Sequence, residues 1–162
     1  VLVMVGAGHV GGAVLKLAHF VGFETVLVDD RDEGVIADKV ALADAFVKVD
    51  DFESGVAALE VPDTASFVLA AHGHSFDCAA LAGALQRKSG YVGMIGSPQK
   101  VKGLFDKLRQ RGVTEEQLSA VHSPIGLDIG GETPEAIALS IVAEVMMVKN
   151  GRSGAACPVS MA

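Results

Sequence analysis

Residues 1–33 read VLVMVGAGHVGGAVLKLAHFVGFETVLVDDRDE, and this stretch decides the fold. An apolar run over 1–5 breaks into Gly6-Ala7-Gly8-His9-Val10-Gly11. A helix-like stretch follows over 10–21, and a second apolar run over 25–28 ends in Asp29 and Asp30. The glycines match G-x-G-x-x-G: the first permits a tight turn, the second lets backbone approach a pyrophosphate, and the third lets helix pack on strand. Backbone N–H groups at the helix start, with the helix dipole, would then hold an anion. Asp29 follows at the spacing of an acid that receives a ribose hydroxyl pair, with a solvated strand-end turn as the plain alternative, and its charge favours NAD-like or adenosine-like ligands over NADP. Arg31, two residues on, weakens that preference. His9 has two readings, a phosphate neighbour or a solvent-facing loop residue, and Val10 lies beside it in the loop.

Outward from this unit the pattern repeats. Strand-like runs rich in Val, Ile and Phe are expected over 1–5, 25–28, 46–49, 66–71 and 91–95, with helix-like stretches over 10–21, 76–88 and 101–111. Strict alternation predicts an α/β, doubly wound, mostly parallel sheet with helices on both faces, a Rossmann-like domain over residues 1–150. Two later helices carry start signals: Thr114 with Gln117 forms a capping box, and Thr133 precedes a proline at the first helical position. Residues 151–162 read as a flexible polar tail.

Composition narrows the classes of function. Half of the 162 residues are hydrophobic, yet no apolar run reaches the roughly 20 residues of a membrane span. A net charge of −7 argues against nucleic acid as partner. Two cysteines, Cys78 and Cys157, make a disulfide framework unexpected and fit a cytoplasmic location. Val1 already lies inside the first expected strand, with no initiator methionine before it, which leads us to expect further sequence upstream.

The second half carries a resemblance. Tyr91-Val92-Gly93-Met94-Ile95-Gly96-Ser97 and Lys100 are followed by His122-Ser123-Pro124-Ile125-Gly126-Leu127-Asp128-Ile129-Gly130. Thr133-Pro134-Glu135 and Ile137-Ala138-Leu139-Ser140-Ile141 come next. With the glycine loop, these motifs resemble the C-terminal Rossmann-like domain of the xanthine dehydrogenase accessory proteins (the XdhC/CoxF type) over nearly the whole chain. The resemblance implies a chaperone that binds molybdenum cofactor, as molybdopterin or its dinucleotide form, and delivers it to an apo molybdenum hydroxylase of the xanthine dehydrogenase type. It also implies a cysteine desulfurase as a further partner, supplying the cofactor's terminal sulfur. Two departures stand out. The family's smaller N-terminal domain, with its cysteine-bearing segment, is absent from this sequence, and neither Cys78 nor Cys157 inherits that role. The family's second loop is commonly richer in arginine, whereas Pro98 and Gln99 here precede Lys100.

The remaining candidates each have a plain alternative. Gly96, Ser97 and Lys100 suggest a second phosphate site, with Ser97 as donor and Lys100 as point charge, against an ordinary helix cap and a surface lysine. His72-Gly73-His74 with Asp77 lies where a fourth strand ends. The spacing is too short and lacks a fourth ligand, so pocket lining is expected rather than a metal site, with Asp77 as an alternative helix cap. Asp128 is either a ligand contact or a turn carboxylate bonding its own backbone. His122 is expected to pack rather than to catalyse. The helix from Pro134 is apolar on nearly every face, which calls for burial in the core or in a homodimer.

The expectation is a maturation factor rather than an enzyme. It would hold its cofactor through Gly6, Gly8, His9, Val10, Gly11, Asp29, His72, Gly96, Ser97, Lys100 and Asp128. An NAD-dependent oxidoreductase is the main alternative, although no acid–base residue accompanies the loop; a nucleotide-sensing regulatory domain is another.

Overall fold

A computed structural model describes residues 1–156, apart from the side chain of His74. Five strands form one sheet: β1 Leu2–Val5, β2 Thr25–Asp29, β3 Ala45–Lys48, β4 Ser66–Leu69 and β5 Tyr91–Met94. Seven α-helices accompany them among the described residues: α1 His9–Phe20, α2 Ala37–Val40, α3 Phe52–Ala57, α4 His74–Leu85, α5 Pro98–Gln110, α6 Glu115–Ser119 and α7 Pro134–Lys149. The strand order is β3-β2-β1-β4-β5, and every pair is parallel. This is the doubly wound, Rossmann-like arrangement expected from the alternation.

Alternation within the strands builds two cores, one on each face of the sheet. Val3, Val5, Phe67, Leu69 and Met94 pack under α3, α4 and α5, joined by Leu118 of α6. Leu2, Met4, Leu27 and Val68 pack under α1 and α7. The residues of β1, β2, β4 and β5 are buried throughout, as a parallel sheet covered on both faces requires. β3 is the partly exposed edge.

The strands lie within a residue or two of their expected positions. The fourth stops at Leu69 rather than at 71, and the turn at Gly6 passes close to the residue that follows it. Gly6 has φ +107°, and a Cβ there would stand 2.3 Å from the Ala70 carbonyl oxygen. The short α2 and α3 have no counterpart among the expected helices, being too brief to show a helical period. Both expected start signals are present: the Thr114–Gln117 capping box opens α6, and Thr133 accepts from the Ala136 N–H to open α7. Residues 151–156 carry no helix or strand, and Cys157 lies outside the described residues.

One element has no counterpart among the expected strands. The chain at His122 runs parallel to β5: its N–H donates to Val92 O (2.9 Å), and its carbonyl accepts from the Met94 N–H (2.9 Å). Ile125 N–H then donates to Met94 O. The motif from His122 to Ile125, which includes a cis Ser123–Pro124 bond, thus extends the sheet past β5. Gly93 permits this approach, since a Cβ there would stand 2.5 Å from Ile125 Cδ1.

Candidate functional site

In a parallel open sheet, ligands bind at the carboxyl ends of the strands, where the chain order reverses. Here that point lies between β1 and β4. The helices that follow these two strands, α1 and α4, both begin at a glycine (Gly8 and Gly73) with no side-chain cap. By contrast Asp51, Ser97, Thr114 and Thr133 cap α3, α5, α6 and α7. Two uncapped positive helix ends therefore stand at the switch point.

The three loop glycines have separate tasks. Gly6 makes the turn at positive φ, beneath Ala70. A Cβ on Gly11 would stand 2.2 Å from the Gly6 carbonyl oxygen, so the helix can sit on the turn only without one. Gly8 has φ −79°, and nothing lies within 4 Å of where its Cβ would be. The strained glycine is therefore Gly6, and Gly8 borders open space. The first intrahelical bond is Gly12 N–H to Gly8 O, so the N–H groups of His9, Val10 and Gly11 precede it at the start of α1. No acidic side chain lies in that first turn. His9 is exposed there. The open space beside Gly8 and the uncapped donors fit a phosphate.

Asp29 departs from its expected role. It is fully buried, and its carboxylate accepts from the Ala7 N–H (2.7 Å), the Arg31 N–H (3.1 Å), Arg31 Nε (2.7 Å) and Arg31 Nη2 (2.8 Å). Burial by itself would raise its pKa, but the Arg31 side chain and these backbone donors outweigh it and lower the value to about 2. Asp29 braces the glycine loop; it does not present a free carboxylate to a ribose.

Lys100 departs too. Its ammonium is paired with the carboxylate of Asp77, which is 1 % exposed in the first turn of α4. Lys100 is therefore not a free point charge, and Asp77 is not the cap of α4, which is Gly73. Ser97 does cap α5, accepting from the Lys100 N–H at 3.3 Å. Gly96 and the glycine loop lie at the same sheet edge but two strands apart, about 10 Å.

The histidine cluster also divides. His72 turns away from Asp77 toward the end of β2, where its Nε2 stands 3.6 Å from Asp30 Oδ1, an oxygen with no hydrogen-bond partner. Asp29, Asp30 and His72 are the described trio whose ligand atoms gather closely enough for a metal, within 4.8 Å of one another. The Arg31 guanidinium already occupies Asp29, so a cation there would meet a positive charge. Asp128 is exposed in the loop before α7, with no side-chain partner among the described residues.

A buried network escapes sequence reading. Glu144 on α7 accepts from Tyr91 Oη (2.5 Å) and the Gly126 N–H (2.9 Å), and its Oε1 lies 3.4 Å from His122 Nδ1. The Tyr91 and His122 rings stack at 4.6 Å. Burial, then the Glu144 carboxylate beside it, push the Tyr91 hydroxyl far above the ordinary phenol range. A glutamate set deep inside the apolar run EAIALSIVAEVMMV is the one available signal. Ala138, Ile141, Val142 and Val145 pack this helix into the core beside α1, while Leu139 stays half exposed. No helix among the described residues is long and apolar enough to cross a membrane.

Comparison with known proteins agrees with this fold. A family model described as the XdhC Rossmann domain matches residues 2–145. The chain is 34% identical over 154 residues to the uncharacterized protein YqeB of Escherichia coli (strain K12), covering 94% of this chain and 28% of that protein. It is 26% identical over 148 residues to a probable xanthine dehydrogenase component of Bacillus subtilis (strain 168), covering 91% and 42%. A crystal structure of a xanthine dehydrogenase from Bacillus halodurans superposes with a TM-score of 0.76 at 28% identity, covering 98% of this chain and 45% of that one. The chain thus spans less than half the length of each of these relatives.

Proposed function

We propose, since this chain belongs to the XdhC Rossmann-domain family, that it is a cofactor-holding domain in the maturation of a xanthine dehydrogenase-type molybdenum hydroxylase. Its cargo in this reading is molybdenum cofactor, whose phosphate end sits in the glycine loop. The observation that carries the reading is the open, uncapped donor cluster beside Gly8, in a family tied by its relatives' names to xanthine dehydrogenase. When bound, the cofactor supplies the molybdenum chemistry of its client; this chain's residues hold and shield it. Gly8, His9 and Val10 would bind the phosphate through backbone N–H groups and the α1 dipole. The ends of β4 and β5, with His72, Gly96 and Ser97, would line the rest of the crevice. Delivery goes to the apo-enzyme, and a cysteine desulfurase is the proposed source of the terminal sulfur.

An NAD-dependent oxidoreductase has less support. Asp29 has no acceptor to offer a ribose. The deciding experiment is to titrate purified molybdenum cofactor against the wild-type protein and Gly8→Val. The wild type should bind, and the variant should stay folded yet lose binding, because a side chain at Gly8 fills the space left for the phosphate. Equal binding by both proteins, or turnover of NAD without cofactor binding, would refute the proposal.

A further inference from the structure

Asp29 stands where a dinucleotide-binding βαβ unit puts the acid that receives a ribose diol, yet it has nothing left to receive one with. Oδ1 accepts from Arg31 N–H and Nε, and Oδ2 accepts from Ala7 N–H and Arg31 Nη2. A carboxylate has about four lone-pair sites, and these four bonds use them, in a side chain with no exposed surface. Arg31 is in the opposite condition. It spends only its Nε and one Nη2 hydrogen on Asp29 and remains 35% exposed. Because Nη2 and the Ala7 N–H share one oxygen, the guanidinium stands a single carboxylate oxygen away from the glycine-loop backbone. The acid is an interior brace, and the base is the group left to meet a ligand.

We infer that Arg31 makes the β2 edge of the cradle a reader of phosphate, selecting a ligand that brings a phosphate dianion there over one that brings an unphosphorylated ribose diol. This rests on the reading that the glycine loop holds a phosphate-bearing cofactor, and it narrows that reading. A guanidinium fork matches phosphate geometry and cannot lose its charge. A phosphate can take the free Arg31 donors while displacing nothing. A diol must first pull Arg31 off Asp29, exchanging a charged guanidinium for neutral hydroxyl donors on a buried carboxylate. The neighbouring charges are accounted for. Asp30 turns its Oδ1 to His72, and Lys48 on β3 is paired with Asp32. Two carboxylates oppose a phosphate here: Asp29, whose charge is offset by the fork it holds, and Asp30, which lies beside the histidine rather than in the fork's bonds.

The test compares adenosine 2′,5′-bisphosphate with adenosine 5′-monophosphate, probes that differ by one phosphate, by calorimetry on the wild type, Arg31→Met and Arg31→Lys. The wild type should bind the bisphosphate about tenfold more tightly or better, the scale of one added charge-assisted contact. Arg31→Met should erase the difference. Arg31→Lys keeps Asp29 paired, guarding against a folding failure, and should cut the difference to about threefold, because an ammonium lacks the fork. Equal affinities, a preference for the monophosphate, binding of neither probe, or a preference that survives both substitutions would overturn the inference. Titrating molybdenum cofactor on the same proteins separates the two readings. Cofactor binding without phosphate preference overturns this inference alone, and phosphate preference without cofactor binding overturns the cofactor reading alone.

Discussion

At the scale of single residues, Gly6 and Gly8 are two glycines of one motif with opposite tolerances. Gly6→Ala should destabilise the protein by about 2–4 kcal/mol, from a strained φ and a clash with backbone that cannot swing aside. Gly8→Ala should leave stability within about 0.5 kcal/mol, because its side chain enters open space. Thermal melts of the two variants check this pair, and similar losses for both would contradict it. Asp29 gives a second prediction, in pH. Its pKa falls from 3.8 to about 2 on folding, so its contribution is fully present above about pH 4 and disappears as pH drops toward 2. Its size is about 2 kcal/mol. Urea unfolding between pH 5 and pH 2 should show a steeper acid loss in the wild type than in Asp29→Asn. Parallel curves would mean that the brace at Ala7 and Arg31 carries no such weight.

At the scale of elements, two buried carboxylates tie helices to the sheet and to each other. Asp77 of α4 holds Lys100 of α5. Lys100→Met should therefore cost about 2–4 kcal/mol of stability by stranding a buried charge. Adding Asp77→Asn to that variant should recover much of the loss, which a double-mutant cycle by chemical denaturation would measure. Neither expected role of Lys100, a ligand's point charge or a surface lysine, includes this tie. Glu144 is the second tie, joining α7 to Tyr91 of β5 and to Gly126 in the loop after the sheet extension. Tyr91→Phe removes one donor to a charged acceptor and should cost about 1.5–3 kcal/mol. A change below about 0.5 kcal/mol in a denaturation curve would show that the remaining donors suffice for Glu144.

For the whole molecule, the two cores share one sheet, whose central strands are buried on both faces. Neither core can lose its packing without uncovering strands that the other needs, so the domain should unfold in one cooperative step. Leu81→Ala, on the α4 side, and Ile141→Ala, on the α7 side, should each shift that one transition by about 2–5 kcal/mol. Two separable transitions in either variant would show that the faces fold independently. The same sheet gathers the loops after β1, β2, β4 and β5 at one edge, so the candidate site is a property of the domain and not of any single motif.

The order of elements, their parallel pairing and the position of the glycine turn were legible in the sequence, because each follows from local periodicity and from what a glycine permits. The capping box and the Thr133 cap were legible for the same reason: their partners lie three residues away. What Asp29, Lys100, His72 and Glu144 do was decided only by the tertiary structure. Each offers a charge or a ring nitrogen that will join whatever complementary group the fold brings within reach, and sequence spacing does not say which group that is. Asp29 met Arg31 and the loop backbone, Lys100 met a buried aspartate on another helix, and Glu144 met a tyrosine 53 residues away. Backbone preferences act over a few residues and leave a periodic trace; side-chain charge is satisfied in three dimensions and leaves none.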